Sequence, residues 1–461
     1  MTLRVLSDLY FDGEHLHEEE LCLRIEGPRI AALHPGGDPH PSPGATVLDA
    51  RGSLLLPGLV NTHVHLTRGG SFKPDEVFSP LQLARDLRNT LRAGVTTVAD
   101  MGATASMVGT LRAQLEETPL AGPRVIVAGP VVTAPNGYPL NWLPPAHVRL
   151  GAARTAGDPR AAREAVTRIA EQGMDFVKLM IQHEDYAGRP LAAMGAETAR
   201  AAVDEAHRLG LRAYAHAVTA ADYRVALDAG VDALMHACFD PMDEALVKRV
   251  ADAGVSVCPT LWVFEGYCLG VEKCLHKASA FRRQVSASIA RDWDRFAEAY
   301  RESGDVVPGG IAQGLSKARA REGVRIAAAN VMLMRDAGVP LSFGNDAAYG
   351  LCVHGRPVDE LAALTRAGLT PAEALTTATS RAAALLGLDD RGRLAPGTLA
   401  DLVCVDRRVL QDVRAIEGVR WVVLGGEVVP SDLASLARDT ARNVRAGVKG
   451  ALKSALDVFR R

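Results

Sequence analysis

The chain has 461 residues, 48% hydrophobic and 23% charged, with a formal net charge of -2. That composition is ordinary for a globular protein of one large and one small domain, and it argues against disorder. The charge balance gives no reason to expect nucleic acid or a membrane surface as partner, and no apolar run reaches the eighteen or so residues of a membrane span.

The first residues, Met1-Thr2-Leu3-Arg4-Val5-Leu6-Ser7-Asp8, turn acidic too early for a signal peptide. Seven cysteines (22, 238, 258, 268, 274, 352, 404) are scattered and odd in number, without a CxxC pair. This suits reduced thiols in a cytoplasm better than a disulfide framework.

Residues 1–55 read as short strands, Leu21 to Ile25, Arg29 to Leu33 and Thr46 to Ala50, separated by Pro35-Gly36-Gly37 and Pro41-Ser42-Pro43-Gly44. From 56 onward the rhythm becomes apolar strand, then amphipathic helix. The expected strands are Gly58 to Val64, Val95 to Ala99, Arg124 to Ala128, Phe176 to Met180, Arg212 to Ala215, Ala233 to Met235, Val255 to Pro259 and Leu341 to Phe343. Helical segments between them include Pro80 to Ala93, Pro159 to Gly173 and Glu197 to Leu209. This alternation predicts an α/β fold, a (β/α)8 TIM barrel over residues 56–391. A doubly wound open sheet would want a Gly-rich phosphate turn after an early strand, and no GxGxxG follows one here.

Residues 262–340 form a long connection before the last strand, with a helix around Ala278 to Arg301, a break at Pro308-Gly309-Gly310 and a second helix to Asp336. A decorated barrel helix and a substrate lid both fit it. Thr370 to Leu388 reads as one helix with Pro371 in its first turn. The strands Leu399 to Val405 and Arg420 to Leu424 then predict a return to the N-terminal unit, giving a small discontinuous β-sandwich of residues 1–55 and 392–431. The tail, 432–461, has helical periodicity and suits a packing or homo-oligomer helix.

Chemistry concentrates at strand ends, which is where a barrel places its catalytic groups. The run Leu56-Pro57-Gly58-Leu59-Val60-Asn61-Thr62-His63-Val64-His65 ends in two histidines one residue apart, so a strand aims both imidazoles the same way. Lys178 sits inside the apolar run Phe176 to Met180, His216 and His236 close the fifth and sixth strands, and Asp346 follows the eighth. Each alone reads as a structural histidine or a snorkelling lysine. Together, at successive strand ends, they read as a metal site. His15 and His17 share the HxH spacing but precede Glu18-Glu19-Glu20 in a surface strand, and read as solvated.

The set His63-x-His65, Lys178, His216, His236 and Asp346 resembles the amidohydrolase superfamily of metal-dependent hydrolases. So do the Pro57-Gly58-Leu59-Val60-Asn61-Thr62-His63 start, Gly94 to Asp100 and the stretch Gly392 to Leu402. The lysine with its two later histidines is most similar to the imidazolonepropionase-like and prolidase-like dipeptidase branch. The resemblance implies two Zn2+ per chain bridged by a carboxylated Lys178 and a hydroxide. His63, His65 and Asp346 would hold one metal and His216 and His236 the other, with Asp346 as acid/base. It also implies hydrolysis of a C–N bond in an amide, peptide or cyclic amide, natural-product peptides included.

Burial in an apolar strand favours the neutral amine that carbon dioxide needs, so the lysine's implied role is chemically sound. Asn61 stands where many members have Asp, and Met235 where Glu is common. The stretch Ala134 to Trp142 replaces the usual Gly-Gly-His-Gly. Tyr138, Trp142, His183, Tyr186, Phe239, Tyr349 and His354 are candidate substrate contacts. A mononuclear aminohydrolase would use His63, His65, His216 and Asp346 with His236 in a second role, releasing ammonia from an amidine or aryl amine, and would leave Lys178 without a role. A non-catalytic scaffold would be expected to have lost a ligand, and none of the six is missing.

Overall fold

The computed structural model describes residues 2–37, 44–73, 79–143 and 148–430. The tail expected at 432–461 lies outside the described residues.

Parallel strands run through the middle of the chain. Arg124–Val127, Val95–Asp100 and Leu59–Val64 form one sheet, and Ala153–Thr155, Val131–Thr133, Phe176–Met180, Arg212–His216, Ala233–Met235 and Ser256–Cys258 form another, in that spatial order. The two are joined where the Asp175 amide donates to Val127 O at 2.9 Å and the Asp175 carboxylate accepts the Val127 amide at 2.7 Å. All residues of Leu59–Val64, Val95–Asp100 and Phe176–Met180 are buried. Strands covered on both faces read as continuous apolar runs, which is why they were legible.

The eighth expected strand is an extended segment with isolated parallel bridges, Val257 to Leu341 on one side and Val64 to Ala347 on the other. It stays irregular because Phe343 N–H turns to Thr377 O at 2.9 Å while Asp346 N–H bonds His63 O at 2.9 Å.

Helices alternate with the strands and start on recognisable caps. Ser79 accepts the Gln82 amide ahead of Pro80–Arg92, Asp158 accepts that of Ala161 ahead of Pro159–Glu171, and Thr219 with Asp222 forms a capping box on Ala220–Ala229. The segment expected as one helix, Thr370 to Leu388, is two: Pro371–Thr377 and Ser380–Leu385. The break comes at Thr379, whose hydroxyl bonds Leu375 O at 2.8 Å and whose backbone leaves the helical region.

Outside this core lie two mixed sheets. One orders Arg29–Pro35, Leu21–Glu26, Thr2–Ser7 and Thr46–Asp49; the other orders Glu427–Val428, Val419–Leu424, Leu402–Val405, Leu54–Pro57, Tyr10–Phe11 and Leu16–His17. Leu3, Leu23, Ile25, Leu55, Leu402, Cys404 and Val423 pack together from both sheets. Leu54, Leu56, Val403 and Val405 point the other way, onto Leu87, Leu91 and Leu361 of the helices.

The apolar run read as one strand is therefore divided. Leu54–Pro57 pairs antiparallel with Leu402–Val405, and Leu59–Val64 begins the parallel series. Gly58 is the joint: a Cβ there would sit 2.2 Å from Thr96 Oγ1. No described helix is long and apolar enough to cross a membrane.

Candidate metal centre

The strand ends converge. His63 is buried, and its Nε2 lies 3.4 Å from Asp346 Oδ1; His65 Nε2 lies 3.3 Å from the same oxygen. The His63 ring is 4.8 Å from that of His236, which is 4.6 Å from that of His216. Ligand atoms of His63, His236 and Asp346 lie within 4.8 Å of one another, a spacing that could hold a metal ion.

Burial decides the electrostatics. His63, His216 and His236 are each pushed well below the usual imidazole range, first by desolvation and then by neighbouring cationic groups, Lys178 among them. Lys178 is lowered to about 7 by burial, against the opposing pull of Asp346. Its Nζ is buried without a hydrogen-bond partner among the described residues, as is His63 Nδ1. Buried polar atoms are almost always paired, so these orphans point to a missing group.

Two side chains that the sequence did not single out orient the rings. Gln182 Nε2 donates to Glu184 O at 2.8 Å, leaving its Oε1 to meet His216 Nε2 at 2.8 Å. Thr260 Oγ1 lies 2.8 Å from His236 Nδ1. The signal for Gln182 was its place two residues past the end of Phe176–Met180, on the face that carries Lys178 and Met180.

A cleft with about 1370 Å³ of empty space, open solvent included, covers the cluster. Lys178, the four histidines and Asp346 line its floor; Met101, Met107, Val131, Leu143 and Phe264 make an apolar wall, and Arg68 is a basic group on the lining. Val263, Phe264, Ala312 and Leu315 come from the long connection at 262–340, which roofs the cleft. The helix expected around Ala278 to Arg301 is two, Ser279–Arg282 and Ala287–Glu302, and the second expected helix is Lys317–Asp336.

Four of the seven expected contacts line this cleft: Tyr138, Trp142, Tyr186 and Tyr349. Tyr138 stacks on His216 with ring centroids 4.7 Å apart, and burial raises its phenol pKa. Trp142 meets Tyr349 edge-on at 5.4 Å.

The other three are not among its described lining residues. His183 pairs with Asp222 at 2.7 Å, a carboxylate already engaged in a helix cap. Phe239 packs edge-on against Phe264 at 3.9 Å and lines a neighbouring cavity. His354 is buried behind the wall, its Nε2 3.1 Å from Arg68 O, and burial pushes its pKa down to about 4. Its tie is to the backbone that carries Arg68. His15 is exposed as expected, whereas His17 is half-buried, bonding Asp12 at 2.9 Å and stacking on Tyr10.

The comparisons agree with this geometry. The model of the amidohydrolase family matches residues 54–429. An uncharacterised protein of Mycobacterium tuberculosis is 27% identical over 387 residues, 83% of this chain and 86% of that protein. Aspergillus niger ochratoxinase is 24% identical over 409 residues, covering 81% and 75%. Among solved structures, a Xaa-Pro dipeptidase with bound methionine superposes with TM-score 0.74 at 21% identity, covering 93% of this chain and 99% of that one. With the family match spanning most of the chain and the strand-end cluster in place, the chain belongs to the amidohydrolase family, hydrolases of carbon–nitrogen bonds.

Proposed function

We propose that the protein is a metal-dependent amidohydrolase that cleaves the amide bond of a small N-acyl amino acid or peptide bearing a carboxylate. In this reading the parallel strands close as a (β/α)8 barrel over residues 56–391, and residues 1–55 with 392–431 form a β-sandwich beside it. The observation that carries the function is the Lys178 Nζ: buried, partnerless and pushed toward neutrality amid four histidines and a carboxylate.

The donor set fits two Zn2+ ions. Imidazole nitrogens and carboxylate oxygens are ordinary zinc ligands, and a carboxylated Lys178 would add an anionic bridge while satisfying its orphaned nitrogen. His63, His65 and Asp346 would hold one ion, and His216 and His236 the other. Bound there, the metals would polarise the scissile carbonyl and acidify water.

The chain's own groups supply the rest. Asp346, with its Oδ1 3.4 Å from His63 and 3.3 Å from His65, takes the proton of the attacking water and returns it to the leaving nitrogen. Arg68 on the cleft lining suits a substrate carboxylate. The wall of Met101, Met107, Val131 and Leu143 suits an apolar acyl or aryl arm and keeps water from it. The family resemblance to Xaa-Pro dipeptidase and ochratoxinase folds supports an amide substrate of this kind.

The test is metal content together with turnover. Protein prepared with zinc and bicarbonate should hold about two zinc ions per chain, show the mass of a carboxylated lysine on Lys178, and hydrolyse members of an N-acyl amino acid and dipeptide panel. One zinc per chain with an unmodified Lys178, and ammonia release from amidines instead, would establish a mononuclear aminohydrolase.

A further inference from the structure

Thr260 follows Ser256–Cys258, ahead of the short helix Leu261–Phe264. Its φ is +47°, in the left-handed region that a β-branched residue rarely enters. Among the described residues, non-glycine positive φ occurs at Asn136, His236, Thr260, Cys274 and Asp346. Three of these five belong to the centre or touch it. A disfavoured backbone that persists must be held by its surroundings.

The holder is Glu360, fully buried on the helix Pro357–Ala367. Its Oε1 accepts the Leu261 amide at 3.0 Å and its Oε2 the Trp262 amide at 2.6 Å. The turn is pinned at its other end as well, because Trp262 Nε1 donates to Leu351 O at 3.3 Å. So fixed, Thr260 can take no other course, and its hydroxyl meets His236 Nδ1 at 2.8 Å.

We propose that Thr260, held in place by Glu360, is a positioning residue that makes His236 keep its proton on Nδ1 and present Nε2 to the metal centre. The inference rests on the reading of that centre as a zinc site. The physical reason is that a neutral imidazole has one donor and one acceptor nitrogen, and the partner of one decides the role of the other. A Thr260 hydroxyl that accepts from Nδ1, a direction the 2.8 Å contact allows, leaves the lone pair on Nε2. Without the hydroxyl, His236 is free to take the other tautomer, and its ring loses the side-chain hydrogen bond described for it.

The same turn also sets the cleft. Phe264, four residues on, lines it and meets the His236 ring edge-on at 6.0 Å. One buried glutamate thus orders a metal ligand and the wall beside it.

The experiment uses the full-length protein and zinc itself. Metal-free wild type, Thr260→Val and Thr260→Ser are titrated with Zn2+ against a chromophoric chelator, and the ring nitrogens of His236 are read by 15N chemical shift in the metal-free wild type. Loss of an outer partner of a metal ligand costs about 10- to 100-fold in affinity. Thr260→Val should therefore bind zinc about that much more weakly, with its metal-free melting temperature near wild type, while Thr260→Ser should recover the affinity. A valine variant that binds zinc as tightly as wild type overturns the proposal. So does equal loss in valine and serine variants, because keeping the hydroxyl would then recover nothing. Should the valine variant fail to fold, the 15N shifts decide: protonated Nδ1 supports the proposal, and protonated Nε2 overturns it. A wild type that takes up no zinc at all refutes the proposed metal centre, while the tautomer of His236 still answers for Thr260.

Discussion

Asn61 Nδ2 donates to Asn345 Oδ1 at 2.8 Å, and Asn61 Oδ1 accepts the His63 amide at 3.1 Å. One buried amide therefore ties the strand that carries His63 to the segment that carries Asp346. A neutral amide at position 61 can donate to Asn345, which a carboxylate cannot. Asn61→Leu should destabilise the fold by about 1–3 kcal/mol, because Asn345 and the His63 amide lose their partner inside the core. Chemical denaturation measures this. Unchanged stability would mean that water replaces the amide.

Asp346 has φ +48°, a conformation that Asn adopts at least as readily as Asp. Asp346→Asn should therefore leave the melting temperature close to wild type and lower turnover by about 10²–10⁴-fold, the usual weight of a lost general acid/base. Persistent activity on the best substrate would remove Asp346 from the mechanism.

Glu360 is raised to about 8, chiefly by burial, against the Leu261 and Trp262 amides that favour its anion. A carboxyl raised above its unfolded value binds its proton more tightly in the folded state. Between the unfolded carboxyl range and about 8, the folded chain holds a proton that the unfolded chain has lost, so stability should fall as pH rises through that window. Melting temperature against pH should show this slope in wild type and a flatter one in Glu360→Gln. The same slope in both would assign it to other groups.

Gly344 allows the closest approach in the centre. A Cβ there would lie 2.5 Å from Cys258 Sγ and 2.7 Å from His63 Cβ. Gly344→Ala should cost about 1–3 kcal/mol of stability and shift His63. Because Cys258 is one of the two atoms in the way, Gly344→Ala with Cys258→Ala should recover part of the loss. A double-mutant cycle checks this, and strict additivity would rule the contact out.

Phe264 lines both the metal cleft and the cavity bounded by Phe239, Arg319 and Ile326. Phe264→Ala should join them and shift preference toward longer acyl chains, read as kcat/KM across a chain-length series. An unchanged profile would place the substrate elsewhere on the wall.

The amino-acid sequence by itself determined which residues form the centre's floor. Strand alternation is local, and a buried parallel strand needs a continuous apolar run, so a histidine, lysine or acid at its end stands out against Leu59–Val64 or Phe176–Met180. The family followed from the same residues. What local pattern could not reveal was every feature that depends on two distant segments meeting. The apolar run at 54–64 divides at Gly58 only because Leu54–Pro57 finds Leu402–Val405, far along the chain. His183 and Phe239 were expected as substrate contacts, but Asp222 and Phe264 draw their side chains elsewhere. Thr260 reads as an ordinary residue before a helix, and Glu360 as an ordinary helix acid. Only tertiary packing brings Glu360 to the Leu261 amide and Thr260 to His236, because hydrogen bonds between strand ends depend on how the strands stand side by side, which no single strand's sequence encodes.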